Sequence, residues 1–346
     1  MKHFVIATSR IGNTRRAKNL YSNTANVLPA QTIHLLTYTI CSEYVIHCTS
    51  GLQLCTISTS QQDLWGTKEG FMKEDKKEQI NDVVEAVLRS SKYRNVSEDL
   101  IRNIGSHELA KGSNLREAIK ATKNRLHQIG GAYFLGRPQY KSWLKKLRAA
   151  KHSSDENLFR ETCTDIMSNH ASTKERLKIL DQFHKEIFSS IPAVRRIVDL
   201  ACGFHPLSIP WMPLASETEY YAYDVYEDLI RFINEFLVLT GTKGYAEARD
   251  VTQHVPREEA DLAFILNTLP CLEHVDKSSG LEIVENVSAK FLAVSFPTKS
   301  LGGREKNMRS FYEEGFNRLA EERKWTVRKL DFETELVFLI NKLRKW

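Results

Sequence analysis

From Arg195 onward the chain alternates short apolar runs with longer segments of helical period, and this alternation restricts the fold more than any other feature. The runs read RRIVDL, YYAYD, GYAEARD, ADLAFIL, FLAVSF, WTVRKLDF and TELVFLIN, with helical stretches over 225–239, 278–288 and 304–323 between them. Strands and helices alternating at this spacing predict an α/β fold: a mainly parallel sheet with helices on both faces. The last two runs are separated by a short break, which predicts a terminal antiparallel hairpin. Ligands of such sheets sit at the carboxyl ends of the strands, where the strand order reverses.

Three carboxylates fall at those ends: Asp199 in the first run, Asp224 in the second and Asp250 in the third. An acid ending the second strand is placed to accept hydrogen bonds from ribose hydroxyls, and one ending the third to meet an adenine amino group. A dinucleotide needs G-x-G-x-x-G so that its pyrophosphate can approach a helix N-terminus. DLACGFHP supplies Gly203 and then Pro206, so a nucleoside without phosphates fits better, and S-adenosylmethionine is the common one. Arg176 in HASTKER is a suitable bidentate partner for its carboxylate. Each acid alone reads equally well as a helix cap. Cys202 reads as a small turn filler and His205 as structural. The eleven His and six Cys show no metal-ligand spacing, so no metal is expected.

Ahead of the sheet, residues 72–150 carry a net charge of +8, whereas the chain as a whole carries +6. Their signals are helical. Ser97 precedes EDLIRNI and Ser113 precedes NLREAIKATKNRLHQI as N-caps, and Gly130–Gly131 stops the second of these helices. Leu115, Ile119, Leu126 and Ile129 can share one face, leaving Arg116, Lys120, Lys123 and Arg125 on others. Ser172 with Glu175 reads as a capping box starting a helix near Thr173. Lys and Arg clustered in this way displace counterions from phosphates, so a polyanion partner is expected.

Residues 1–71 differ: their first acidic residue is Glu43, and no period is sustained. They are expected to be a poorly ordered, non-homologous extension, or to precede the true start at Met72. The domain reading is therefore 1–71 extension, 72–150 basic helical subdomain, 151–346 catalytic domain. No apolar run reaches the roughly 18 residues of a membrane helix. The cysteines form no CxxC pair and suggest a reducing, cytoplasmic setting.

After the fourth run, ILNTLPCLE lacks the Asn/Asp-Pro-Pro-aromatic sequence of adenine N6 methyltransferases, because Thr268 and Leu269 separate Asn267 from Pro270. After the fifth, SFPTKSLGGREKNM offers Lys299 and Arg304 for phosphates and Met308 as an apolar residue to press against an unstacked base.

Taken together, SKYRNVSEDLIRNI, IGGAYF, HASTKERL, IVDLACGFHPLSIPWM, YYAYD, LPCLE and SFPTKSLGGR resemble, in collinear order, the 16S rRNA methyltransferases of the Arm/Rmt type that confer aminoglycoside resistance. The resemblance implies a Rossmann-like class I S-adenosylmethionine-dependent methyltransferase sheet with an N-terminal helical bundle. It implies methyl transfer to N7 of guanine 1405 of 16S rRNA in the 30S subunit by a monomer, and docking of the basic bundle, with Arg116, Lys120 and Lys123, on rRNA. It also implies a cofactor pocket lined by Phe134, His170, Ala171, Ser172, Arg176, Ala201, Asp224, Asp250, Val251 and Leu266, with Lys299, Arg304 and Met308 facing the target. Asn267 stands where much of that family has Lys. Guanine N7 has a free lone pair and no proton, so no catalytic base is expected. Two other readings stay open: methylation of another RNA atom, such as adenine N1 in the same helix, and a noncatalytic rRNA-binding or assembly factor on the same fold. The drug profile separates the two methylations, since N7 modification should affect 4,6-disubstituted deoxystreptamines and spare apramycin.

Overall fold

The computed structural model describes residues 77–131, 133–272, 279–297 and 305–343. It also describes two short strands, Ile46–His47 and Thr56–Ile57, which pair antiparallel within a separate unit, Met1–Glu74. The rest of the chain forms the second unit, Asp75–Trp346.

The expected sheet is present, with seven strands: β1 Arg196–Leu200, β2 Glu219–Asp224, β3 Lys243–Ala248, β4 Ala260–Leu266, β5 Ala289–Pro297, β6 Thr326–Asp331 and β7 Glu335–Asn341. Their spatial order is β3-β2-β1-β4-β5-β7-β6. The first five are mutually parallel, and β7 is antiparallel to both β5 and β6, as a terminal hairpin folded back into the sheet must be. Sequence order runs outward from β1 to β3 on one side and from β4 to β5 on the other. The reversal lies between β1 and β4.

The inner strands β1, β4, β5 and β7 are buried on both faces because helices cover both sides, whereas the edge strands β3 and β6 keep exposed polar residues. In β4, Leu262 and Phe264 enter one core while Ala263 and Ile265 enter the other; in β7, Val337 and Leu339 alternate with Phe338 and Ile340 in the same way. The first core is built with helix α4 (Tyr140–His152), α5 (Glu156–Met167), α7 (Leu180–Ser189) and α8 (Glu227–Thr240). In α7 the buried residues Leu180, Phe183, His184 and Ile187 recur at the spacing of one helix face.

A smaller third core belongs to the N-terminal helices: α1 (77–88), α2 (Glu98–Ala110) and α3 (Leu115–Leu126), which ends in a π-helical turn over His127–Gly131. The face that α3 buries is not the one its large residues suggested. Ala118, Thr122 and Leu126 are buried, while Leu115, Ile119 and Ile129 are only partly so. Gly105 of α2 faces this side of α3, where a Cβ would meet Thr122 Oγ1 at 3.9 Å and Val83 of α1 at 3.0 Å.

The caps also differ from expectation. Asn114, not Ser113, forms a capping box with Glu117. Ser97 holds the N-cap of α2 without a side-chain bond, and its backbone N–H donates to Val225 O instead. Ser172 and Glu175 form no capping box. The short helix α6 (Ala171–Arg176) starts after His170, and the Thr173 hydroxyl donates to Met167 O. Among the described residues, no helix is long and apolar enough to cross a membrane.

Candidate functional site

At the switch between β1 and β4 a cleft opens over the strand ends. Its walls combine segments from the whole second unit. Ala201–Gly203 follow β1, Asp224–Tyr226 close β2, Arg249–Thr252 follow β3 and Leu266–Thr268 close β4. α6 contributes Ser172, Thr173 and Arg176, its N-cap His170 joins them, and α2 contributes Leu100.

Backbone strain concentrates at this rim. Ala201 and Asn267, both non-glycine, have φ of +51° and +54°, and Gly203 has +50°. Such conformations cost of order 1–3 kcal/mol for non-glycine residues and persist where the surroundings enforce them, often at ligand sites. Gly203 is required for a second reason: a Cβ there would stand 3.1 Å from the His170 ring. Its N–H donates to Asp224 at 2.9 Å.

Asp224 also accepts from the Val225 and Tyr226 amides, at 2.7 and 3.3 Å. Both bonds fall on one oxygen, and Gly203 takes a single site on the other, which leaves acceptor capacity for a hydroxyl. Burial raises its pKa, opposed by those amide donors. Asp250 lies two residues beyond β3. It accepts from the N–H and hydroxyl of Thr252 and, unexpectedly, from Asn103 of α2 at 3.0 Å. Both acids thus serve turns and still face the cleft.

Asp199 has a different role from the strand-end pair. It accepts from Tyr220 Oη at 2.7 Å and sits 2.9 Å from His205 Nδ1 beneath the cleft floor, so His205 is structural, as expected. Cys202 is buried, and burial pushes its thiol well above its ordinary pKa, which suits a turn filler rather than a nucleophile. His170 is held neutral, with its pKa lowered to about 4 by burial and then by Arg176. Its ring stacks on Tyr133 and meets Phe134 edge-on.

Arg176 is 1% exposed, and its Nε–Nη2 edge is taken by Glu335 at 2.7 and 2.6 Å. That edge is therefore closed to a ligand, and only the end of the fork remains for a second carboxylate. Neither Glu335 nor Asn103 was singled out in the sequence. One sits 159 positions from its partner and the other lies in a helix assigned elsewhere, so no local pattern marks them.

Of the residues expected at the cofactor, Phe134, His170, Ser172, Arg176, Ala201, Gly203, Asp224, Asp250, Val251 and Leu266 line this cleft. Ala171 does not; it opens α6, and its N–H donates to Tyr133 O. Arg116 and Lys120 are exposed on α3 and Lys123 is half-buried, while Arg125 pairs with Glu108. Lys299 and Arg304 lie outside the described residues, as does the side chain of Met308. Among the described residues, no group of three His, Cys, Asp or Glu is placed to hold a metal ion.

Residues 89–339 match the family model described as ribosomal RNA methyltransferase (FmrO). The chain belongs to the FmrO family of ribosomal RNA methyltransferases. Among its relatives is the 16S rRNA (guanine(1405)-N(7))-methyltransferase of Micromonospora rosea, 35% identical over 267 residues, covering 77% of this chain and 97% of the relative. The enzyme of the same name from Serratia marcescens is 34% identical, covering 76% and 98%. Two solved 16S rRNA methyltransferases are similar in structure. The 16S rRNA methylase RmtB has a TM-score of 0.62 at 31% identity and covers 76% of this chain and 98% of its own. RmtF, solved with S-adenosyl-L-homocysteine, has 0.64 at 29% identity with the same coverage. The FmrO match begins within the N-terminal helices and ends in β7, so it includes every segment that walls the cleft.

Proposed function

We infer that this FmrO-family chain is an S-adenosylmethionine-dependent 16S rRNA (guanine(1405)-N(7))-methyltransferase that confers aminoglycoside resistance. The observation that carries this reading is the cleft at the β1/β4 switch, with Asp224, Asp250 and Arg176 around it, in a chain matching nearly the whole length of relatives bearing that activity.

The cleft suits the donor. Asp224 has a free acceptor site for a ribose hydroxyl, and Asp250 has one for an adenine amine. Leu266 and Val251 offer apolar walls, and the open end of Arg176 suits the methionine carboxylate. Buried Asn267 Oδ1 and His170 Nδ1 face the same cleft without a partner in the protein, as expected where a polar ligand completes the set. S-adenosylmethionine supplies an electrophilic methyl on a sulfonium. The protein contributes position: it holds the donor at the strand ends and excludes water with Phe134 and Tyr133. Guanine N7 brings its own lone pair and no proton, so proximity and alignment, worth roughly 7 to 11 kcal/mol in favourable cases, carry the rate. With no proton on N7 to remove, the reaction asks neither His170 nor His205 to act as a base.

The target strand is met by the segment that follows β5 in the sequence, with Lys299 and Arg304 holding phosphates and Met308, of the helix Glu305–Arg323, pressing on the extruded base. The substrate is the 30S particle, the protein acts as a monomer, and the reaction takes place in the cytoplasm. The test is methyl transfer from labelled S-adenosylmethionine to purified 30S subunits by the full chain, followed by mapping of the modified nucleotide. Label at N7 of guanine 1405 is expected, together with resistance to 4,6-disubstituted deoxystreptamines and sensitivity to apramycin. Label at adenine N1, with apramycin resistance, replaces the target assignment. Cofactor binding without label anywhere rejects the enzymatic reading. Lys299→Ala and Arg304→Ala should leave cofactor affinity unchanged and lower methylation by about tenfold or more, if each removes a charged hydrogen bond to phosphate.

A further inference from the structure

Arg176 is fixed far more firmly than a ligand-binding arginine at a cleft wall requires. Its Nε and Nη2 donate to the two oxygens of Glu335, at 2.7 and 2.6 Å, and both side chains are 2% exposed. The Phe183 ring covers the guanidinium, with the central carbon 5.0 Å from the ring centroid. Glu335 is itself held, because the Ser295 hydroxyl donates to the same oxygen that receives Nη2. Ser295 also receives the Asn267 N–H, which ties this chain of contacts to the strained turn after β4.

A planar guanidinium has two forked edges. With the side edge bonded to Glu335 and one face against Phe183, the remaining fork is the end of the group, formed by Nη1 and the second Nη2 proton. Arg176 lies on the cleft wall, so this end is the part available to a ligand. The two donors there match the oxygen spacing of a carboxylate. A buried ion pair is a weak device for stability, since desolvation offsets most of the attraction. An ion pair beside a ligand cleft is more readily understood as orientation.

We propose that Glu335 is a positioning residue for donor selection: it holds Arg176 in the one pose whose open end receives the methionine carboxylate. The inference rests on the reading of the cleft as the S-adenosylmethionine site. Glu335 touches neither donor nor target. It acts through Arg176 alone, so its effect should be confined to ligands that carry the carboxylate.

That confinement is the test. Binding of S-adenosylmethionine and of decarboxylated S-adenosylmethionine, which keeps the nucleoside, sulfonium and ammonium, is measured by calorimetry on the full chain and on Arg176→Met and Glu335→Gln. Wild type should prefer the carboxylated ligand, and Arg176→Met should abolish that preference. Glu335→Gln should weaken S-adenosylmethionine roughly tenfold to a hundredfold, the range for a hydrogen bond to a charged group, while changing the decarboxylated ligand less than about threefold. With 30S subunits its loss should appear in KM for the donor, with kcat at saturation spared. Glu335→Asp should recover part of the preference.

A parallel loss for both ligands, or no loss for either, overturns the proposal by making the pair structural. A wild-type chain without preference, or an Arg176→Met variant that keeps it, shows instead that the cleft reading is at fault. If Glu335→Gln does not fold, Ser295→Ala carries the comparison, since it removes one hydrogen bond from Glu335 and leaves the ion pair. A selective loss of about twofold to fivefold for S-adenosylmethionine then supports the proposal, and an unchanged ratio of the two affinities overturns it.

Discussion

Asp224 does two jobs with one carboxylate: it anchors three backbone amides of its own rim and keeps an acceptor site facing the cleft. Asn at this position loses the charge and turns half of the group into a donor. Asp224→Asn is therefore expected to weaken S-adenosylmethionine binding by about tenfold to a hundredfold in calorimetry; unchanged affinity would remove Asp224 from the site. His170 gives a pH dependence of definite sign. Folding keeps it neutral down to about 4, whereas in the unfolded chain it titrates near 6.5. Between these values the unfolded state takes up more protons, so the His170 contribution is complete above 6.5 and declines as the pH falls toward 4. His184 is shifted in the same direction, by burial first and then by the neighbouring His205 and Arg176. The thermal midpoint should fall across this window, and His170→Gln should flatten part of that fall. An identical slope in the variant would assign the whole effect elsewhere.

Among the elements, α2 does more than bind to the outside of the catalytic sheet. Val96 pairs with Tyr226 in an isolated antiparallel bridge, Ser97 N–H donates to Val225 O, and Glu227 N–H donates to Asn95 O. The entry to α2 is thus bonded to the loop that follows Asp224, while Asn103 of the same helix reaches Asp250. Asn103→Ala is expected to lower donor affinity by roughly threefold to thirtyfold, the cost of one hydrogen bond to a carboxylate in a partly buried setting; calorimetry against wild type checks it. Most of the sheet was legible in the sequence because strands buried on both faces must be apolar throughout, and ADLAFIL coincides with β4. Asp224 and Asp250 were legible because a polar residue stops the run at or just past the strand end, whereas Asp199 lies inside β1 and bonds beneath the cleft. The contacts of Asn103 and Glu335 were not, since each depends on packing between elements remote in the chain. Nor was the buried face of α3, where Ala118 and Thr122 are buried and the larger Leu115 and Ile119 only partly so. Ser97 does stand at the N-cap of α2, held there by its backbone bond to Val225 rather than by its hydroxyl, whereas Ser172 misled because its hydroxyl accepts from Asn267 at 3.2 Å.

At the scale of the molecule, the +8 on residues 77–150 belongs to the same unit as a cleft lined by Asp199, Asp224 and Asp250. Affinity for RNA and affinity for the donor should therefore separate experimentally. Replacing Arg116, Lys120 and Lys123 together by Ala should reduce the slope of log affinity for 30S subunits against log salt by about one for each phosphate no longer neutralised. Donor binding should be unchanged, and an unaltered slope would move the RNA interface to another face. The sheet order has one more consequence. β7 is the last strand in the chain, yet it is inserted between β5 and β6 rather than added at an edge. Glu335 opens this inserted strand, so a slip of β7 against its two neighbours would carry the counter-charge of Arg176 away with it, and the register of one hairpin and the shape of the cleft wall are a single quantity.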